Sequence, residues 1–206
     1  MTQTKQHEQD VDVWVGKRFP LTIRRLGVNG HGIGYYKHKV CFVPGALPNE
    51  VVVAEVTRVL PRYLEAKIHR IRKKSRDRIT PRDEYADIAG GFELENLAYQ
   101  QQLKFKRQVI IDSLEKFQPY GYRNYDVRPT IAAPEEYGYR NKAQFQVRMV
   151  NGKVAAGLYQ PNSHTLVNME TCAVQMPRIM ETVRAVTQIC KSQFMMKSTI
   201  AVSSRP

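Results

Sequence analysis

The chain has 206 residues, enough for one or two domains with a real core. Lys and Arg number 32 against 19 Asp and Glu, a formal charge of +13, so the expected partner is a polyanion. No run of about eighteen apolar residues offers a membrane-crossing helix. Met1 to Asp12 is polar and lacks the basic start and apolar stretch of a signal peptide. Three irregularly spaced cysteines point to a reducing cytoplasm and away from a disulfide framework.

In chain order, residues 1–16 read as a flexible lead-in. Phe19 to Leu26 reads as a first strand, with Leu21 and Ile23 alternating with Thr22 and Arg24. Gly30, Gly32 and Gly34 read as a glycine-rich bend before β-rich runs. A dinucleotide or S-adenosylmethionine loop would open a helix, so that cofactor reading is rejected. Val40 to Val43 is a strand, broken by Pro44-Gly45 and then Pro48-Asn49, and Val51 to Val59 is the next. Tyr63 to Ile71 alternates, with Leu64, Ala66 and Ile68 inward. The run Arg72-Lys73-Lys74-Ser75-Arg76-Asp77-Arg78 closes this segment. Between Lys17 and Arg78 stand fifteen Lys/Arg and four Asp/Glu, a net +11. Basic clustering on one domain is the footprint of nucleic-acid binding, so phosphate contact is expected of the closing run rather than a merely solvated linker. Tyr35 and Tyr36 beside Lys37 and His38 read equally well as stacking partners for unpaired bases or as one core and one exposed tyrosine.

Thr80 to Gly91 reads as a linker with local order. Leu97 to Phe117 is the clearest helix, its stripe of Leu103, Ile110, Leu114 and Phe117 read as core. Lys142 to Val150 and Lys153 to Tyr159 flank Asn151-Gly152, a strong type I′ hairpin signal. Thr165 to Asn168 is a short strand, Pro177 to Cys190 a helix, and Ser198 to Val202 a final strand. The histidines show no metal-ligand spacing. None of Cys41, Cys172 and Cys190 has an evident partner that would make it a reactive thiolate.

The stretch Gly-x-Gly-Ile-Gly followed by Val-x-Phe-Val-Pro-Gly-Ala-Leu-Pro-x-Glu-x-Val resembles the TRAM domain, a small OB-like barrel that binds RNA. Tyr139-Arg140-Asn141-Lys142-Ala143-Gln144-Phe145, then Ser163-His164-x-Leu166-Val167 and Cys172-x-x-Gln175, resemble the RNA uracil-5 methyltransferases, best the bacterial 23S ribosomal RNA type. The resemblance covers about residues 17 to 203. It implies a β plus α/β chain: an N-terminal OB-like TRAM β-barrel over 17–78, a linker over 79–96, then a helix and an incomplete α+β central domain over 97–206. Many members hold an iron–sulfur cluster on Cys-x5-Cys-Gly-Gly-Cys and a later cysteine. Here Gly90 and Gly91 remain, Asp83, Ala89 and Phe92 replace three cysteines, and Cys172 is the one retained. One thiolate cannot hold a cluster that normally needs four, so no metal is expected, and Cys172 reads as a small buried hydrophobe.

The family's nucleophilic cysteine, base and S-adenosylmethionine site lie in a C-terminal domain that this sequence lacks. The resemblance therefore implies a truncated, RNA-binding N-terminal portion that cannot methylate alone and binds no cofactor itself. A separate catalytic fragment would then be a partner, and ribosomal RNA the target. The RNA-contacting residues expected are Arg24, Arg25, Tyr35, Tyr36, Lys37, Lys39, Arg72, Lys73, Lys74, Arg76, Arg140 and Lys142. Two other classes stand beside this one. A stand-alone TRAM-type RNA-binding module would not need residues 120 to 203, and a structural ribosome-associated protein would not explain the Ser163 to Gln175 pattern.

Overall fold

The computed structural model describes residues 12–161 and 163–203, with side chains as far as residue 191. The chain divides into two compact units, residues 1–78 and 79–206. The first unit is one six-stranded sheet of β1 (Arg18–Thr22), β2 (Arg25–Leu26), β3 (Gly32–Tyr36), β4 (Lys39–Val43), β5 (Val51–Val59) and β6 (Tyr63–Lys73). The strand order is β1-β5-β6-β4-β3-β2, and only the β4–β6 pair is parallel.

The expected single strand Phe19 to Leu26 is two. At Ile23-Arg24 the chain changes partners: the Ile23 N–H donates to the Glu50 carbonyl at 2.9 Å and the Arg24 N–H to Ile33 at 2.8 Å. This corner brings β1 across β3 and rolls the sheet into a barrel. The glycine string is likewise not one bend. Gly30 turns the chain at φ 81°, whereas Gly32 and Gly34 lie inside β3. A Cβ on Gly34 would come within 2.7 Å of the Leu21 side chain and the Thr22 carbonyl, so the barrel closes where β3 has no side chain to hold it off.

Pro44-Gly45 and Pro48-Asn49 make the two turns that follow, with Gly45 at φ 73° and Asn49 at φ 68°. Proline before a left-handed residue is the type II pattern. Leu21, Ile23, Cys41, Val43, Val52, Val56 and Leu64 fill the interior. Of the lead-in, residues 1–11 lie outside the described residues, but 12–16 are not loose. Val13 packs against the core, and the Gly16 N–H donates to Val56 at 2.8 Å.

The second unit contains α1 (Tyr99–Phe117), α2 (Pro177–Ser203) and an antiparallel sheet in the order β7 (Gln146–Val150), β8 (Lys153–Tyr159), β9 (Leu166–Asn168). Asn151 and Gly152 both take positive φ, 49° and 74°, as the hairpin turn requires. Three sequence expectations change here. Thr80 to Gly91 is not a linker: Ala89 and Phe92 are buried with Val167, Met169, Cys172 and Met180 in the core of this unit. The stripe on α1 is not core: none of its residues is buried, and Ile110 and Phe117 face solvent. Thr130, Arg107 and Tyr99 tie the helix instead to the segment after it, through Leu103, Val127 and Ala133 respectively. Finally, Ser198 to Val202 is helical, continuing α2. Its β-branched residues suggest a strand, but with no Gly or Pro between Pro177 and Val202, extending an existing helix adds a hydrogen bond per residue without a new nucleus.

Candidate nucleic-acid interface

Most of the barrel's cations fall into three groups. The first is neutralised within the chain. Glu55 on β5 faces Arg18 at 2.7 Å, Lys67 at 2.9 Å and His69 at 3.8 Å, and Arg58 pairs with Glu65 at 3.3 Å. The Lys67 and Arg18 hydrogen bonds hold the Glu55 carboxyl below the usual carboxylate range, against a smaller upward push from desolvation.

The second group sits on the β3–β4 hairpin. Its turn residues Lys37 and His38 both take positive φ, 45° and 70°, with neither glycine nor asparagine present. Lys37 and His38 are exposed, and Lys39 is half-buried. The two tyrosines separate. Tyr36 stacks on Phe19 with ring centroids 3.8 Å apart, so one of its faces is taken by the core. Tyr35 is 53 % exposed and is the tyrosine of this hairpin with a ring open to solvent. Arg24 and Arg25 are exposed on the neighbouring corner, where Arg25 pairs with Ile33.

The third group is Arg72, Lys73, Lys74 and Arg76, all exposed, at the end of β6 that pairs with Val51 and Val52. Arg78 does not belong to it, although the sequence places it in the same basic run. Its guanidinium donates to both oxygens of Glu50, at 2.7 and 2.9 Å, and to the Gly45 carbonyl at 2.6 Å. Glu50 is fully buried and also accepts the N–H groups of Leu47 and Ser75. The start of β6 pairs with β4 next to the hairpin, at Val40 and Tyr63. At a rise of about 3.3 Å per residue, the hairpin and the third group therefore stand about 30 Å apart along β6. Arg24 and Arg25 belong to neither end alone: Ile23 beside them bonds Glu50, which accepts the Ser75 N–H, while Arg24 and Arg25 meet Ile33. The fold thus separates Tyr35 to Lys39 from Arg72 to Arg76 as two patches, not one.

In the second unit, Arg140 and Lys142 are exposed at a cleft of about 320 Å³, whose walls include Gly91, Phe92, Phe145 and Gln175. Gln175 is buried, and sequence reasoning assigned it no role. Its signal, a polar residue three positions after a buried cysteine, became meaningful only once both lay on one wall. Asp83 explains part of this wall: both its carboxylate oxygens accept the Ala173 N–H, at 2.8 and 3.0 Å. At the positions an iron–sulfur cluster would use stand this hydrogen-bonded carboxylate, two buried apolar side chains and Cys172. The residues present do not fit that group. Burial raises the Cys172 thiol, with the Asp83 charge adding to it, and burial pushes Cys41 up to about 12. Neither is a ready thiolate.

A β-barrel of this order with two uncompensated basic patches has the form of a small nucleic-acid-binding domain, and the TRAM domain family matches residues 12–69. Beyond the barrel, the chain is 62% identical over 184 residues to an RNA methyltransferase of Lactiplantibacillus plantarum, covering 89% of this chain and 38% of that protein. It is 47% identical over 162 residues to one of Enterococcus faecalis, covering 79% and 36%. The fold also resembles the crystal structure of Pyrococcus abyssi tRNA (uracil-54, C5)-methyltransferase in complex with S-adenosyl-L-homocysteine. The TM-score is 0.54 at 20% identity, over 84% of this chain and 37% of that one. The chain thus contains a TRAM domain and is similar to these RNA methyltransferases, and it spans less than two fifths of the length of these relatives.

Proposed function

We propose that this chain is the RNA-binding and substrate-positioning part of an S-adenosylmethionine-dependent RNA uracil-C5 methyltransferase of ribosomal RNA, working in the cytoplasm. The observation that carries this reading is the barrel charge of +11, with exposed, unpaired cations at both ends of β6 among the described residues. Electrostatic attraction to phosphates is the sequence-independent core of nucleic-acid affinity. The exposed Tyr35 adds a stacking surface for an unpaired base.

The chain does not supply the chemistry itself. Methyl transfer to uracil C5 in this family needs a cysteine nucleophile and a base, with S-adenosylmethionine as the methyl donor. Cys41 and Cys172 are buried with raised pKa values, and Cys190 is half-buried on α2. No described strand runs through a glycine-rich turn directly into a helix, the usual cradle for such a cofactor. Binding RNA cannot replace these groups, because uniform binding does not stabilise a transition state. A catalytic domain, joined to this chain or separate, would provide them. The uncovered apolar residues Ile110 and Phe117 of α1 favour a further packing partner over a self-sufficient RNA-binding module.

The test is to incubate the purified chain with labelled S-adenosylmethionine and unmodified ribosomal RNA. The expected outcome is salt-sensitive RNA binding with no 5-methyluridine formed. Turnover abolished by changing a single cysteine would overturn the assignment of chemistry to another domain. Absence of RNA binding at low salt would overturn the assignment as a whole.

A further inference from the structure

Gln175 is only 7% exposed, and its Oε1 is buried with no hydrogen-bond partner among the described residues. Native proteins rarely leave a buried acceptor unpaired without a use for it. Its backbone is fixed on both sides: the Gln175 N–H donates to Cys172, and Arg140 bridges the neighbouring residues through Val174 and Met176. The side chain is thus held on the wall of the 320 Å³ cleft, a volume at the small end of ligand sites. Phe92 and Phe145 give that cleft aromatic walls. Arg140 and Lys142 stand exposed at it, and neither has an ion-pair partner among the described residues.

We propose that this cleft takes one unpaired nucleotide of single-stranded RNA. The base lies against the aromatic walls with a donor on its edge directed to Gln175, and the phosphate meets Arg140 and Lys142. Aromatic stacking with edge hydrogen bonds is how proteins read splayed RNA bases, and cations hold phosphate oxygens by charge-assisted hydrogen bonds. A bare anion fits poorly, because the unpaired Gln175 oxygen would repel it. The inference rests on the RNA reading above but concerns a site outside the barrel.

The experiment is an NMR titration of the whole chain with each nucleoside 5′-monophosphate and, separately, with inorganic phosphate. At least one nucleotide should give saturable millimolar shifts at the amides of Gly91, Phe92 and Cys172 to Gln175, and phosphate alone should not. Gln175→Leu should weaken that nucleotide at least about five-fold without lowering Tm, since it removes an unpaired buried acceptor. Arg140→Ala with Lys142→Ala should weaken it by a different route, while Lys153→Ala, exposed at the start of β8 and away from the cleft walls, should leave it unchanged. Absent shifts, equal shifts with phosphate, or indifference to Gln175→Leu would each overturn the proposal. A chain that binds RNA with a silent cleft would lose only this inference. One that binds nucleotide in the cleft but no RNA would lose only the proposed function.

Discussion

At the scale of single residues, Glu50 and Arg78 show how one basic residue in a run can serve the fold and its neighbours serve the surface. Burial pushes the Glu50 carboxyl up, but the Arg78 hydrogen bond, the N–H groups of Leu47 and Ser75, and the Arg78 charge outweigh it, and the net shift is down. A carboxylate whose folded pKa is lowered adds stability above its unfolded value of about 4.3, and that stability is lost as pH falls through the folded value. Removing one partner of a buried pair leaves the other charge uncompensated. Arg78→Ala should therefore destabilise the barrel by about 3–5 kcal/mol at neutral pH, read by urea unfolding. The gap between the variant and the parent should narrow on acidification, and a gap constant down to acid pH would show that Arg78 acts by packing alone. Asp83 supports a second expectation. Because it is spent on the Ala173 N–H and its companions Ala89 and Phe92 are core, protein prepared without oxygen should carry no stoichiometric iron. About one cluster per chain, by iron analysis and visible absorbance, would refute this.

At the scale of elements, the β3–β4 hairpin is where local chemistry and fold disagree. A type I′ turn favours Asn-Gly, because both central residues need positive φ. Lys37-His38 takes that turn without either residue, and each such position costs of order 1 kcal/mol or more. Strain of this kind is retained where side chains are wanted in place. Lys37→Asn with His38→Gly should raise barrel stability by about 1 kcal/mol or more while lowering RNA affinity. A variant that gains stability and binds RNA as before would remove the hairpin from the interface. The same comparison explains what could be read from the sequence. Pro44-Gly45, Pro48-Asn49 and Asn151-Gly152 were legible because adjacent residues determine a turn. The inward set Leu64, Ala66 and Ile68 was legible from the period of two. The Lys37-His38 turn was not, since nothing local announces it. Ala89 and Phe92 were not, because their burial depends on Met169 and Cys172, about eighty residues away. The α1 stripe gave the right helix and the wrong environment: periodicity defines a face but not what covers it.

At the scale of the whole chain, charge was legible as an amount but not as a distribution. Part of the basic charge is paired at Glu55, Glu65 and Glu50, and the exposed runs Lys37 to Lys39 and Arg72 to Arg76 lie at the two ends of β6. That geometry predicts how RNA length should enter. Log affinity for a single strand falls with log salt by about 0.7 per phosphate neutralised. OB-type sites cover about 4–16 nucleotides, so a strand near the lower limit would reach one end of β6 and a strand near the upper limit both. Replacing Arg72, Lys73, Lys74 and Arg76 by Ala should then reduce the salt slope for a long oligonucleotide by up to about 3. Replacing Lys37 and Lys39 should reduce it by up to about 1.4, and the two effects should add, since the groups share no partner. For a short oligonucleotide, the losses should not add, because the strand moves to whichever patch is left. Fluorescence anisotropy across a salt series, with both lengths and all three variants, reads this directly. Equal slopes for both lengths in every variant would mean that the two ends of β6 do not belong to one RNA path.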